Sequence, residues 1–482
     1  MTLSQLTGLC NCRFLSGDPE TNISGVCTDS SKVKPGDVFI ALRGAHTNAN
    51  GCVAEAFDRG AAAAVVSDDN LSFPGRTVVF ASDTRKALGL ICSDFYGKPQ
   101  HRLVTAAITG TNGKTTTASL LRHILSLSGK RCAMTGTVES VVDGKSLPTE
   151  YTTPEPPELF GLMRRAVDSD CTHFVCEASS QALDQQRLYG INFDLGVFTN
   201  LSRDHLNYHR SMSEYAAAKL KLFDCSTLHL AGIDCPYSHL FASYPRTMTF
   251  SVRTKADFYV ENVSVGHDAN LFTFIFDGKR YPTRQRLRGE FNVQNSVAAI
   301  ASAIMLGVDA EEAVRASESF SGVPGRFEFV PTGEDFDIII DYAHTPEGLS
   351  QLLRSVEKIR RPGGKTILVF GCGGDRDKEK RPLMGKVATS LADFTVITSD
   401  NPRTEDPNRI IQDIVSGVRK GSTVVVSDRK KAIDYALCAA RKNDTVVIAG
   451  KGHEVYIDAG SEKLPFDERS VIKEIISLKK RI

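Results

Sequence analysis

Residues 104–117 read VTAAITGTNGKTTT. An apolar run, Val104–Ile108, leads into Gly110-Thr111-Asn112-Gly113-Lys114-Thr115-Thr116, and an Ala/Leu-rich helical stretch follows at once. Strand, glycine turn and helix in that order suit a polyphosphate. Glycines let backbone N–H groups close on phosphate oxygens, and the helix N-terminus adds partial positive charge. Lys114 reaches the terminal phosphates, and a threonine hydroxyl can ligate Mg²⁺. The spacing departs from GxxxxGK[ST], because Ile108 stands where the first glycine would fall. An ordinary glycine turn is the competing reading. The shared register of strand, Gly-Lys-Thr-Thr and helix favours a nucleoside triphosphate.

Outward from this loop, strands alternate with helices, the pattern of a mostly parallel sheet with crossovers. Strand-like runs fall at Phe174–Glu177 and Leu195–Thr199, and 257–287 alternates like hairpins with Asp277-Gly278 as a turn. An Ala-rich helix is expected over 291–306, and Ser321–Arg326, containing Gly-Val-Pro-Gly, marks a boundary. Beyond it the rhythm resumes at Asp337–Asp341, Thr366–Phe370, Phe394–Thr398, Thr423–Val426 and Thr445–Ala449. Before the loop, short β-rich runs (Asp37–Leu42, Ala61–Ser67, Thr77–Phe80) and a helix over 83–96 end at Gly97-Lys98-Pro99. The expected architecture is α/β in three domains. Residues 1–98 form a small α/β domain, 99–324 a central phosphate-loop α/β domain, and 325–482 a Rossmann-like α/β domain.

Composition bounds the function. The 482 residues exceed what one core organises. Lys+Arg 58 against Asp+Glu 57 leaves +1, without the footprint of a bulk nucleic-acid binder. No apolar stretch approaches the ~18 residues of a membrane helix, and no secretory signal is visible, so a cytoplasmic location is expected. The 12 cysteines are scattered, with Cys10-Asn11-Cys12 the only tight pair, which suits reduced thiols better than a metal knuckle.

Three further candidates lie near the loop. Glu177 closes its strand and should emerge at the carboxyl edge, where ligands of open α/β sheets bind; a solvated strand-end carboxylate is the alternative. His205 and His209 stand four apart, but Leu206 breaks the HExxH pattern, so a place for His205 beside Mg²⁺ and phosphate is preferred to zinc. Lys219 sits on an Ala-rich helix, Glu214–Phe223, where the pattern alone predicts a solvent-facing lysine.

The segments GTNGKTT, CEASSQALDQQR, FTNLSRDHLNYH and EYAAAKLKLF together resemble the central domain of the Mur ligases. GEFNVQNSVAAI, VPGRFE, DYAHTPEGL, GCGGDRDKEKRPLMG, TSDNPRTEDP and GKGHE extend that resemblance to the chain's end. The likeness is greatest to the branch that adds meso-diaminopimelate to a UDP-muramoyl dipeptide in peptidoglycan precursor synthesis. It implies an ATP-dependent amide ligase acting through an acyl phosphate, with Mg²⁺ as cofactor. A lysine-adding member of the same family, or an ATP-driven switch of a different class, are the alternatives. Small-molecule substrates, no nucleic acid, no membrane insertion and a monomer are expected.

The resemblance also assigns residues. Gly110, Thr111, Asn112, Gly113, Lys114, Thr115 and Thr116 hold the ATP phosphates. Asn292 and Asn295 lie near the adenine, and Arg326 and Asp341 grip the nucleotide. Thr115, Glu177, His205 and a carbamylated Lys219 serve the metal ions. Thr28 and Ser30, with Ala45, His46 and Thr47, match uridine-diphosphate contacts. Tyr151, Thr152, Thr153, Ser179, Gln185 and Arg187 match contacts along the muramoyl peptide. Arg376, Asp400, Asn401, Pro402, Arg403, Gly450 and Glu454 match the diaminopimelate site, where Arg403 takes the distal carboxylate and Glu454 suits an ammonium.

Overall fold

The computed structural model describes residues 1–8, 10–42, 49–206, 208–419 and 421–479. The chain divides into two compact units: Met1–Phe250 with Ala301–Asp309, and Ser251–Ile300 with Ala310–Ile482.

The first unit carries two sheets. The smaller has the order Cys12–Ser16, Thr77–Ala81, Ala63–Val66, Asp37–Ile40, Gly25–Cys27. Its pairs are parallel except for the first. The helix Thr84–Phe95 starts where Asp83 accepts from the Arg85 and Lys86 N–H groups (3.1 and 3.0 Å). The larger sheet places Val104–Thr109 between His173–Glu177 and Phe193–Phe198, all parallel. These strands read as nearly unbroken apolar runs because helices bury them on both faces. Register brings Glu177 opposite Ile108 and Phe198 opposite Thr109. Three carboxyl ends therefore open together around the glycine loop.

In the second unit, Phe258–Val265, Asn270–Phe276 and Lys279–Gln285 form an antiparallel meander. Asp277 (φ 49°) and Gly278 (φ 71°) make the expected two-residue turn, whose positive φ at both positions suits Asp-Gly. The main sheet has the order Glu328–Phe329, Asp337–Asp341, Thr445–Ala449, Thr366–Phe370, Phe394–Ile397, Thr423–Val425, parallel after the first pair. Strand alternation builds two cores. Ile339, Leu368, Phe370, Val447 and Ile397 pack on one face with Leu349, Leu353, Met384 and Ile414. Ile338, Ile340, Ile367, Val369 and Ile448 pack on the other with Ile433, Leu437 and Ile472. Such a doubly wound sheet presents its carboxyl edge to ligands.

The sequence pattern missed Cys12–Ser16, Gly25–Cys27, Ser226–Gly232 and Thr247–Ser251. The first two are only half-buried, so no apolar run or clean alternation marks them. Among the described residues no helix is long and apolar enough to cross a membrane.

Candidate active site

Gly110 (φ 151°) and Gly113 (φ 85°) turn the chain into the helix Lys114–Leu127, whose first-turn N–H groups point out of its N-terminus. A Cβ on Gly110 would lie 1.9 Å from Thr199 Oγ1, so only glycine lets the loop settle on the neighbouring strand end. That strand end braces the loop. Thr199 Oγ1 and Asn200 Nδ2 donate to the Asn112 carbonyl (2.7 and 3.1 Å), and Asn200 Oδ1 accepts from the Asn112 N–H (3.0 Å). Thr111 Oγ1 lies 3.2 Å from the Tyr215 hydroxyl. Thr116 is buried in the first turn of the helix. Lys114 Nζ donates to the Gly110 and Thr111 carbonyls (2.9 and 3.1 Å).

Glu177 is fully buried rather than solvated. Its Oε2 accepts from the Thr115 and Thr137 hydroxyls (2.9 and 3.0 Å), and Oε1 accepts from the Thr137 N–H (2.8 Å). A Cβ on Gly136 would come within 2.1 Å of Oε1, so glycine there admits the carboxylate. Thr137 was not singled out from the sequence; no motif marks it, only the fold brings it across from the neighbouring strand. Thr115, Glu177 and Thr137 offer hard oxygens to a cation. Among the described residues no group of three His, Cys, Asp or Glu side chains is gathered for a metal. The donor set thus fits Mg²⁺, which takes a carboxylate, hydroxyls, waters and substrate phosphates.

Lys219 corrects the solvent-facing expectation. On the helix Met212–Asp224 it is 1% exposed. Nζ donates to the Gly110 carbonyl (2.8 Å), the same oxygen that Lys114 approaches, and lies 4.5 Å from the Tyr215 ring. Burial, then the Lys114 cation, hold its ammonium well below the usual lysine range. Its neighbours Tyr215, Leu222 and Phe223 recur at helical spacing, a stripe on which Lys219 falls. That period was the signal available. Lys221, on the outer face, pairs with Asp184 (2.7 Å).

His205 (φ 53°) lies 3.6 Å from Asp204, and burial first, then the Lys114 and Lys219 cations, push its imidazole pKa down against that carboxylate. His209 is buried against Ser180 Oγ (3.0 Å) and stacks on Tyr215.

The peptide-contact candidates gather around Glu177. Thr153 Oγ1 donates to the Glu177 carbonyl (2.7 Å) and accepts from the Ser179 N–H (3.0 Å), while Ser179 caps the helix Ser180–Asp184. Thr152 Oγ1 is 3.0 Å from Thr137 Oγ1. Arg187 donates to Gln185 Oε1 (2.9 Å) and the Thr153 carbonyl (3.0 Å), and stacks over Tyr151 at 5.2 Å. It also pairs with Glu155 (3.0 Å), which Arg85 shares (2.7 Å); neither was foreseen. Thr28 and Ser30 follow the strand Gly25–Cys27 on the small sheet, where Ser30 donates to Glu55 (2.7 Å). Ala45, His46 and Thr47 lie outside the described residues.

In the second unit, Asn292 and Asn295 are buried one turn apart, Asn295 Nδ2 donating to Asn292 Oδ1 (2.9 Å). Asp341 accepts from the Phe327 and Ala343 N–H groups (2.7 and 2.8 Å). Burial pushes its carboxyl up, against the pull of Arg326. Arg326 lies over the Tyr342 ring at 4.6 Å. Beside it, burial and then Arg326 push His453 down to about 4, so its imidazole is neutral near pH 7.

The diaminopimelate candidates converge at the carboxyl edge of the main sheet. Asn401 Nδ2 donates to Glu454 Oε2 (2.8 Å), and its Oδ1 accepts from the buried Lys451 (2.8 Å). Lys451 also pairs with Glu454 (3.2 Å). Asp400 is buried; burial would raise its carboxyl, but Arg429 and Lys451 hold it below the usual range. Gly450 (φ 115°) comes so close that a Cβ would lie 2.6 Å from Asp400 Oδ2. The Pro402 carbonyl would lie 1.9 Å from a Cβ on Gly374, so the two loops touch there. A Cβ on Gly373 would sit 2.9 Å from Arg403 Nη1 and 3.9 Å from Arg376 Cγ, so two arginines flank one glycine. Arg376 is exposed; Arg403 is half-buried.

Two supports under this edge were not singled out from the sequence. Arg429 spans Asp400, Glu468 and the Ser399 and Ala449 carbonyls. Arg381, 1% exposed, donates to Glu405 (2.9 and 3.0 Å) and Asp413 (2.8 Å), tying the Arg376 loop to the Arg403 loop. Replacing Arg381 by Met is expected to destabilise this unit by about 2–3 kcal/mol in urea unfolding. Arg381 and the Asp375 N–H hold the Glu405 carboxyl at about 2, below its ordinary 4.5. A depressed folded-state pKa stabilises above the unfolded value. This contribution is therefore full above about pH 4.5 and lost as pH falls toward 2, and Glu405→Gln should flatten that acid limb.

One α/β sheet carries a strand–glycine loop–helix suited to phosphate, and another carries a carboxyl edge flanked by two arginines. Residues 108–303 match the Mur ligase middle domain, and residues 325–452 the Mur ligase glutamate ligase domain. The UDP-N-acetylmuramoyl-L-alanyl-D-glutamate–2,6-diaminopimelate ligase of Caldanaerobacter subterraneus subsp. tengcongensis is 41% identical over 96% of both chains. The enzyme of that name from Clostridium tetani is 38% identical over 99% of both. A solved structure of that name superposes with a TM-score of 0.71 at 30% identity, covering 100% of this chain and 99% of the other. The chain belongs to the Mur ligase family.

Proposed function

We infer that the protein joins meso-diaminopimelate to UDP-N-acetylmuramoyl-L-alanyl-D-glutamate at the expense of ATP. Residues 1–98 would hold the uridine end, 99–324 the ATP, and 325–482 the incoming amino acid. One observation carries the reading. Thr115 of the phosphate loop and the muramoyl-peptide candidates Thr152 and Thr153 all meet at the buried Glu177, directly or through Thr137.

A carboxylate is a poor electrophile, so the γ-phosphoryl group is first transferred to the glutamate carboxylate, giving an acyl phosphate and ADP. The amine then attacks, and the tetrahedral intermediate collapses to amide and phosphate. Lys114 and the helix N-terminus take up charge on the transferring group, while Arg187, Thr153 and Ser179 orient the peptide. Mg²⁺, held by Thr115, Glu177 and a carbamylated Lys219 with His205 nearby, would neutralise phosphoryl oxygens. A lysine with a depressed pKa supplies the neutral amine that adds CO₂, releasing a proton and leaving an anion where a cation stood. Arg376 and Arg403 favour an amino acid with a second carboxylate, which lysine lacks. ATP dependence suits a cytoplasmic enzyme, acting as a monomer.

Heavy-oxygen label in the glutamate carboxylate tests the mechanism. One labelled oxygen should leave in the released phosphate; phosphate free of label would overturn the acyl-phosphate route.

A further inference from the structure

The hairpin Tyr456–Asp458/Lys463–Pro465 lies against the loop that carries Arg403. The Arg403 N–H donates to the Asp458 carbonyl (2.9 Å), and the Asp458 N–H donates to Asn401 Oδ1 (2.9 Å). The turn presses as closely: a Cβ on Gly460 would meet the Arg403 carbonyl at 2.9 Å. Against this backbone seam, the Asp458 carboxylate stands 3.3 Å from Arg403 Nε, while Nη1 donates to the Gly374 carbonyl (2.7 Å). Two of the three guanidinium nitrogens thus meet oxygens from two different segments, and Nη2 makes no hydrogen bond to a described residue. Arg403 has φ 52°, a backbone turn that such a seam stabilises.

We propose that Asp458 is a specificity-determining positioning residue, which sets the Arg403 guanidinium so that its terminal face receives the distal carboxylate of the amino-acid substrate. The inference rests on the reading of Arg403 given above. A long arginine side chain is costly to immobilise, and a carboxylate at Nε removes that cost before the substrate arrives. Asp458 also takes the Gly460 N–H on Oδ1 (3.0 Å), so its own orientation is fixed. Neither the phosphate loop nor the peptide contacts involve it.

The test is steady-state kinetics of Asp458→Asn, Asp458→Glu, Arg403→Ala and the Asp458→Asn/Arg403→Ala pair, with meso-diaminopimelate, ATP and UDP-muramoyl dipeptide varied in turn. Asp458→Asn keeps an acceptor for Gly460 and should raise the diaminopimelate KM about tenfold, with kcat and the other two KM values within about twofold. Asp458→Glu should recover part of that loss. In the Arg403→Ala background, Asp458→Asn should add less than about twofold, because the group it positions is gone. An unchanged diaminopimelate KM in Asp458→Asn, a parallel rise in all three KM values, or full additivity with Arg403→Ala would overturn the role of Asp458. An Arg403→Ala variant with unchanged diaminopimelate KM would instead overturn the assignment of Arg403 itself.

Discussion

Replacing Lys114 with alanine is expected to lower kcat by about a thousandfold, roughly 4 kcal/mol of barrier, with the fold retained. The size follows from where charge develops. Phosphoryl transfer spreads negative charge over oxygens that the protein meets by positioning alone. Lys114 is the loop's ammonium, and it donates to the Gly110 and Thr111 main-chain carbonyls. The loop does not rely on it for shape, since Thr199 and Asn200 brace Asn112 independently. Thermal unfolding should therefore shift little while turnover collapses. A variant with kcat within tenfold of the parent would remove Lys114 from the chemistry.

The second large effect falls at the other substrate. Arg403→Ala should lower diaminopimelate-dependent kcat/KM by roughly 2–4 kcal/mol, about 30- to 1,000-fold. Losing a half-buried guanidinium leaves a substrate carboxylate facing the Gly374 carbonyl and the Asp458 carboxylate, which repel it. Arg403→Lys should recover little, because a point charge cannot reproduce a planar fork held at two nitrogens. Unchanged kinetics in Arg403→Ala would sink the amino-acid site as drawn.

Much of this was legible in the chain. Parallel strands buried on both faces announce themselves as apolar runs, and the glycine loop declares its neighbours through strand, turn and helix. Residues at strand ends, such as Glu177 and Asp400, inherit their place from that rhythm. What stayed hidden depends on contacts between distant segments. Thr137 has no motif and acquires meaning only when Gly136 admits Glu177 beside it. Arg381, Arg429 and Lys451 were not singled out from the sequence, yet they are buried among paired carboxylates and amides. The pattern alone predicts a solvent-facing Lys219; in the fold it falls on the buried stripe of Tyr215 and Leu222. Asp458 was invisible because a short polar hairpin gives no periodic signal before its partner strand is known.

The decisive measurement is phosphate release in the presence of ATP, Mg²⁺ and the UDP-muramoyl dipeptide as the amino acid is varied. Release that requires meso-diaminopimelate and falls away with lysine or with no amino acid is the expected result. Release that proceeds without an added amino acid, or that lysine supports equally, would contradict it.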